Sequence, residues 1–196
     1  MTQKNFTPSL LDLKKATTFK PSIQAQNNLL RSILMKVLGI DPGFARVGVA
    51  LVEKKNGEKE TLVFSRCIET SAHEPLPSRL QLIAEEVSAI IQKYTPDAMA
   101  IEKLFFGSNQ KTAIRVAEAR GVLIQSAASA HVAVHEYTPL QIKIAVTGYG
   151  RATKTQVADM VARLIVLKKK KRIDDEVDAI AIALTHCAHT KIDHRI

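Results

Sequence analysis

A short apolar run that stops at an acid sets the strongest limit on the fold of this chain. MKVLGI, residues 35–40, is followed at once by Asp41 and a Pro-Gly turn. Its length and its β-branched residues predict a strand, which the Asp-Pro-Gly turn ends. Two more β-rich runs follow, RVGVALVEK and KETLVFSRCIE, and the connector between them contains Asn56-Gly57. Because Asn-Gly favours a tight hairpin, we expect the sheet to begin with antiparallel strands.

Helical and extended patterns alternate after the third β-rich run. Apolar residues recur there every three or four positions: Leu76, Leu80, Ile83, Val87, Ile90 and Ile91. This spacing predicts an amphipathic helix that ends before Thr95-Pro96. DAMAIEKLFF and HVAVHEY indicate two further strands, and the Ala-rich segment between them indicates a helix. Three helical segments close the chain. The order β-β-β-α-β-α-β-α-α-α predicts an α/β domain with a five-stranded mixed sheet and helices on both faces.

The length of 196 residues fits one domain, and the first 34 residues differ from the rest. That segment is polar and has five basic residues against one acid, Asp12. It predicts a basic, mostly disordered N-terminal extension, residues 1–34, before a domain at 35–191 and a short C-terminal tail at 192–196. Two alternatives are an organellar transit peptide and an over-long gene prediction in which Met35 is the true start.

The composition narrows the class of protein and its partners. A formal net charge of +9 and a pI near 9.6 indicate a polyanionic partner. No apolar run approaches the roughly 18 residues of a membrane span, and the start lacks a secretion signal. Two cysteines, Cys67 and Cys187, are too few and too far apart for a disulfide framework or a zinc site. The composition therefore favours a polyanionic partner and a reducing compartment.

Acids at the ends of predicted elements form the most informative pattern. Asp41 ends the first strand, Glu102 lies near the end of the fourth, and Asp175 and Asp178 share one face of the last helix. If strands one and four are neighbours and the helix crosses them, all four carboxylates meet in one pocket. No lysine or arginine lies at helical spacing within that cluster, so the carboxylates would repel one another. Two Mg²⁺ ions would balance the four charges and could activate water against a phosphodiester.

Each acid also has a purely structural explanation. Asp41 could cap the turn that Pro-Gly forms, and Glu102 could be an exposed acid at a strand end. The acids of the last helix could stabilise its N-terminus. Two other functions also stay open: a kinase-like fold, for which 196 residues leave no second domain, and a nucleic-acid-binding scaffold without catalysis.

Four segments together resemble the RuvC family of Holliday junction resolvases, in order and in spacing, from Met35 to His189. They are LGIDPGFARVGVAL, AIEKLFFGSNQKTAIRVAEARGV, VTGYGRATKTQV and DEVDAIAIALTHC. The resemblance implies an RNase H-like fold, a homodimer, and two Mg²⁺ ions per active site with Mn²⁺ as a substitute. It implies an endonuclease that resolves four-way DNA junctions by paired symmetric nicks in recombination and repair. It also implies the bacterial cytoplasm and branch-migration partners of the RuvA and RuvB type.

The same resemblance assigns roles to individual residues. The four catalytic, metal-binding acids of the family fall on Asp41, Glu102, Asp175 and Asp178, with Asp174 as an alternative to Asp175. The aromatic residue that enters the junction core falls on Phe105, for which core packing is the alternative. The helix that begins near Asn109 is the candidate dimer surface.

Basic residues form the expected DNA interface. Lys143 and Lys154 align with family lysines that contact DNA near the active site. The run KKKKR, which contains Lys168 and Lys169, either adds affinity for phosphates or is simply solvated. Four arginines are candidate contacts that could equally be solvated: Arg115, Arg120, Arg151 and Arg163.

Overall fold

The computed structural model describes residues 34–104, 110–166 and 172–190, and for residues 110–112 only the backbone. These residues form five strands and five helices. They are β1 Leu34–Asp41, β2 Arg46–Lys55, β3 Thr61–Glu69, α1 Leu76–Tyr94, β4 Ala98–Glu102, α2 Gln110–Ser129, β5 Ala133–Tyr137, α3 Pro139–Thr147, α4 Lys154–Leu164 and α5 Asp174–His189. None of the helices in the described ranges has the length and apolarity that crossing a membrane requires. The predicted extension, apart from Leu34, and the predicted C-terminal tail lie outside these ranges.

The sheet has the strand order β3-β2-β1-β4-β5. β1 pairs antiparallel with β2, and β2 pairs antiparallel with β3. β4 pairs parallel with both β1 and β5. Between β2 and β3, Gly57 takes a φ of +73°, a left-handed conformation that glycine adopts without a steric penalty. The predicted five-stranded mixed sheet with an antiparallel start is therefore confirmed.

Side chains that alternate along the strands divide the core between the two faces of the sheet. On β1, Val37 belongs to the cluster that also contains α3, α4 and α5, whereas Leu38 belongs to the cluster with α1 and α2. This alternation follows from the two-residue period of a strand. The spacing that predicted α1 holds as well, because Ile83 and Val87 are fully buried. Helices cover both faces, as expected.

Two glycines let α5 lie directly on the sheet. A Cβ on Gly39 of β1 would overlap with the carbonyl oxygen of Ala179 and would lie 2.8 Å from the Ala183 Cβ. A Cβ on Gly48 of β2 would overlap with the carbonyl oxygen of Asp175 and would lie 3.2 Å from the Asp41 Cβ. Glycine inside a strand often marks such a close approach of another backbone. The first turn of α5 is thereby brought to the end of β1.

Helices α3 and α4 begin with the same hydrogen-bonded cap. Thr138 accepts a hydrogen bond from the Gln141 backbone amide, and the Gln141 side chain accepts one from the Thr138 amide. Thr153 and Gln156 repeat this capping box at α4. Lys154 is the first helical residue after the second cap. Its backbone position is therefore well defined.

Candidate active site

Asp41 and Glu102 lie beside each other at one edge of the sheet. Their strands are parallel neighbours, and Ile40 pairs with Ile101 one residue before the two acids. Asp41 also pairs across to Gly48, over which the start of α5 passes. The ends of two strands and the first turn of a helix therefore meet at one place, as the positions of the acids predicted.

The acids lie close enough together to act on one another electrostatically. The pKa of Asp41 is raised from its ordinary value of 3.8 to about 7, mainly by burial and then by the charges of Asp178, Glu102 and Asp175, in that order. Burial and the Asp178 charge also raise the pKa of Glu102. Lys154 lowers the pKa of both acids. The pKa of Asp41 is raised because its carboxyl is buried and has three acidic neighbours.

The choice between Asp174 and Asp175 follows from their exposure. The Asp174 side chain is 79% exposed, whereas the Asp175 side chain is 17% exposed and acts on Asp41. These exposures favour Asp175 as the acid that faces inward.

Two cations from distant parts of the chain contact the acidic group. Arg46 Nε of β2 lies 3.4 Å from Asp175 Oδ2. Lys154 Nζ of α4 lies 2.9 Å from Asp178 Oδ2 and 3.6 Å from Asp174 Oδ2. Helical spacing alone had indicated no nearby cation. These partners come from other elements, so the local pattern around the acids carried no sign of them.

The structure does not contain a ready-made metal site. Among the described residues, no three His, Cys, Asp or Glu side chains are close enough together to hold a metal ion as they stand. Asp175 and Asp178 are instead paired with Arg46 and Lys154. The predicted four-acid metal cluster is therefore a set of neighbouring acids with two of its members bound to cations, and the metal-ligand roles stay a prediction.

The residues present nevertheless fit a hard divalent cation. The set offers only carboxylate oxygens, which Mg²⁺ and similar ions prefer. Asp175 Oδ2 is buried and accepts no hydrogen bond, although Arg46 lies within ion-pair distance of it. The Arg46 contact compensates this oxygen only in part, because it is long and the Arg46 side chain is 57% exposed. A buried carboxylate oxygen without a donor is costly, and a cation would compensate it.

A cavity of about 230 Å³ opens beside the acids. Glu102 and Asp178 contribute its acidic side, and Lys143 and Lys154 contribute its basic side. The remaining lining is apolar, from Pro139, Ile142, Val157, Ala181 and Ile182. The two lysines that the resemblance aligned with DNA contacts therefore border the acids. Acidic and basic groups at one opening suit a phosphodiester held by its phosphate oxygens.

The other predicted DNA contacts have different outcomes. Arg151 is exposed in the turn between α3 and α4. Phe105, Lys168 and Lys169 lie outside the described residues, so their roles stay predictions. Arg120 is a correction: its side chain is only 16% exposed and is bound to Glu136 and to the Glu102 carbonyl oxygen. It is therefore not the solvated surface arginine of the alternative explanation, and a contact of Arg120 with DNA stays a prediction.

The raised pKa of Asp41 predicts a pH dependence of stability without divalent metal. The folded-state pKa of about 7 exceeds the ordinary 3.8, so the folded state binds the proton more tightly. We expect the free energy of unfolding of the wild type, minus that of Asp41→Asn, to fall as the pH rises from about 4 through 7. Urea unfolding in EDTA at a series of pH values measures it. A difference that stays constant across this range would show that Asp41 is not held in a buried, acidic setting.

Comparison with known proteins shows which family this chain is similar to. A family model described as "Crossover junction endodeoxyribonuclease RuvC" matches residues 37–186. A relative of that name from Caldicellulosiruptor saccharolyticus is 46% identical over 152 residues, which cover 78% of this chain and 92% of the relative. The structure described as "T. thermophilus RuvC in complex with Holliday junction substrate" superposes with a TM-score of 0.75 at 37% identity, over 79% of this chain and 94% of that one.

A more distant structure shares the fold alone. The yeast mitochondrial Holliday junction resolvase superposes with a TM-score of 0.63 at 14% identity, over 79% of this chain and 78% of that one. Together with the sheet order, these likenesses confirm the RNase H-like fold. The family match spans the residues that carry all four acids. The chain therefore belongs to the RuvC family of crossover junction endodeoxyribonucleases, which are metal-dependent nucleases.

Proposed function

We propose that this chain is a structure-selective endonuclease that resolves four-way DNA junctions by paired symmetric nicks. The observation that carries the proposal is that Glu102, Asp175 and Asp178 all act on the buried Asp41, beside an opening that Glu102 and Asp178 share with two lysines, within the family match. The T. thermophilus relative, described in complex with a Holliday junction substrate, supports the choice of DNA structure. Recombination and repair are the processes that produce and remove such junctions.

The four acids are proposed to hold two Mg²⁺ ions, for which Mn²⁺ could substitute. Bound there, such cations would activate water and stabilise the charge on the leaving oxygen. Asp41 lies at the centre of the set, since all three other acids act on it. Lys154 now neutralises Asp178, and with Lys143 it would hold phosphate oxygens beside the bond to be cut.

The basic surface is proposed to position the DNA backbone. Lys143, Arg151 and Lys154 would each contact a phosphate near the cavity. Neutralising phosphates releases counterions, so each such contact steepens the salt dependence of binding by about 0.9 in log–log slope. The run that contains Lys168 and Lys169 stays a proposed further contact.

A homodimer would place two sites against one junction. Helix α2 buries Ala119, Leu123 and Ala127 against the core, whereas Ile114 on the same helix is 61% exposed. We propose the outward side of α2 as the dimer contact. Phe105 precedes this helix and is the proposed junction-core aromatic. RuvA-type and RuvB-type partners and a cytoplasmic location remain predictions.

A synthetic four-way junction tests the proposed function. In Mg²⁺ we expect paired nicks at symmetric positions of opposing strands, since two related sites would act on one junction. A linear duplex of the same sequence is the control and should be cut far less, and EDTA should stop cutting. Denaturing gels with mapped cut sites provide the measurement. Binding without nicks in Mg²⁺ would instead identify a DNA-binding scaffold, and equal cutting of the duplex would contradict the structure selectivity.

A further inference from the structure

The end of β4 is held by a side chain from outside the sheet. Glu102 is the last residue of the strand, and Arg120 Nε of α2 donates a hydrogen bond to its carbonyl oxygen at 3.1 Å. On the β5 side, the Lys103 amide donates to the Tyr137 carbonyl oxygen at 2.8 Å. The backbone around Glu102 is thus fixed by the next strand and by Arg120 together. In the described part of the chain, the pairing of β4 with β5 ends at Glu102 and Tyr137.

The other arm of the same guanidinium is fixed in turn. Arg120 Nη2 donates to Glu136 Oε1, and Glu136 lies on β5 opposite Ile101 of β4. Lys103 Nζ lies 3.8 Å from the second oxygen of Glu136. The hydrogen bond from Arg120 is the main reason that the pKa of Glu136 is lowered, so that carboxylate is held in its charged form.

We infer that Arg120, oriented by Glu136, is a positioning residue that sets where the Glu102 carboxylate lies relative to Asp41 and Asp178. The inference deepens the proposed function and rests on Glu102 being one of its acids. The planar guanidinium can serve a carbonyl and a carboxylate at once, which a lysine ammonium on a flexible stem does far less well. The three acids come from three separate elements, so the Glu102 carboxylate depends on its own backbone being fixed. A misplacement of about 1 Å can cost about 10²-fold in rate.

The position of this pair explains why sequence reasoning missed it. Arg120 lies 18 residues after Glu102 and 16 before Glu136, on a helix with no role in the acidic pattern. Its side chain is 16% exposed, which distinguishes it from Arg115 on the same helix. Arg115 forms an ion pair with Glu118 and is 47% exposed, so it serves as a matched control.

Three variants of the full-length chain test the inference: Arg120→Gln, Arg120→Lys and Glu136→Gln, with Arg115→Gln as control. The first measurement is Mn²⁺ binding in the absence of DNA, monitored by the electron paramagnetic resonance signal of free Mn²⁺. We expect Arg120→Gln to bind Mn²⁺ about tenfold more weakly, because groups that orient a metal-binding carboxylate typically contribute about 10- to 100-fold. Arg120→Lys should not restore the Mn²⁺ affinity. Arg115→Gln should bind Mn²⁺ with the affinity of the wild type.

Two further readings separate positioning from general damage. Single-turnover cleavage by Arg120→Gln at fixed Mg²⁺ should fall about 10- to 100-fold, while its junction Kd in EDTA stays near that of the wild type. More Mg²⁺ should restore part of the rate. Hydrogen exchange of the Lys103 amide should be faster in Arg120→Gln, because the end of β4 loses its hydrogen bond from Arg120 and keeps only its contact with β5.

The outcomes also separate this inference from the proposed function. Wild-type Mn²⁺ affinity and Lys103 protection in both Arg120→Gln and Glu136→Gln would overturn the positioning role, whatever the DNA assays show. If Arg120→Gln fails to fold, the half-exposed Glu136→Gln variant still decides, because it removes the charge that orients Arg120 and keeps the Arg120 side chain. A wild type that binds Mn²⁺ but never cuts a junction would overturn the proposed function instead, while the loss of Mn²⁺ affinity would still support positioning.

Discussion

Replacing Asp41 with asparagine should reduce junction cleavage by about 10³-fold or more while leaving junction binding close to that of the wild type. The loss follows from the central place of this carboxylate, on which Asp178, Glu102 and Asp175 all act. An amide has the same shape but no charge, so the site would lose several kcal/mol of cation-supported stabilisation of the transition state. Binding is expected to persist because it depends on basic residues that this substitution leaves in place.

Single-turnover cleavage in Mg²⁺ and junction binding in EDTA provide the two measurements. Asp174→Asn is the matched comparison, since Asp174 is the most exposed acid near the site and the alternative to Asp175. We expect Asp174→Asn to keep most of the cleavage rate and Asp175→Asn to lose it. Normal cutting by Asp41→Asn would show that Asp41 is not part of the active site. If Asp174→Asn loses the cleavage rate and Asp175→Asn keeps it, Asp174 would be the acid of the site in place of Asp175.

Gly48→Ala should both destabilise the protein and reduce cleavage. The new Cβ would overlap with the carbonyl oxygen of Asp175 and lie 2.7 Å from its carbonyl carbon. Backbone atoms cannot turn away as a flexible side chain can, so the start of α5 must shift from β2. Such overpacking typically costs about 1–3 kcal/mol, which corresponds to a fall in Tm of several degrees for a domain of this size. Cleavage should fall further, since the displaced turn carries Asp175 and precedes Asp178.

Thermal unfolding and single-turnover cleavage, measured below the Tm of the variant, distinguish the two effects. Gly121→Ala is the control, because Gly121 lies within α2 and its added Cβ would meet nothing within 4 Å. Alanine there should stabilise the helix by about 0.5–1 kcal/mol. Size-exclusion chromatography should confirm that the control keeps the oligomeric state of the wild type. A Gly48→Ala protein with the wild-type Tm and rate would show that α5 does not depend on this close approach.

Local patterns predicted most of the architecture. Asn56-Gly57 marked the hairpin between β2 and β3, and the spacing of Ile83 and Val87 marked the buried face of α1. These signals are local because the periods of a strand and a helix and the conformational freedom of glycine act over a few residues. Gly48 within a β-rich run was also a readable sign of close backbone approach, although the sequence did not reveal which element approaches.

The acidic residues show which features of the site the local sequence predicted and which it did not. Their positions at element ends predicted that they would meet, and the neighbouring strands β1 and β4 bring Asp41 and Glu102 to one edge of the sheet. The local sequence did not reveal that Arg46 and Lys154 would contact Asp175 and Asp178, nor that the acids would lack a ready-made metal geometry. Those features depend on side-chain directions set by the packing of whole elements.

The linear chain alone thus specified the order of its strands and helices, the acids of the proposed site and the family to which it belongs. Packing alone decided which cations neutralise those acids and that Arg120 binds the backbone of Glu102. The physical reason is the separation along the chain over which each kind of interaction acts. Hydrophobic periodicity and turn chemistry act between neighbours along the chain, whereas ion pairs and burial depend on distances that exist only after the sheet and α5 have come together.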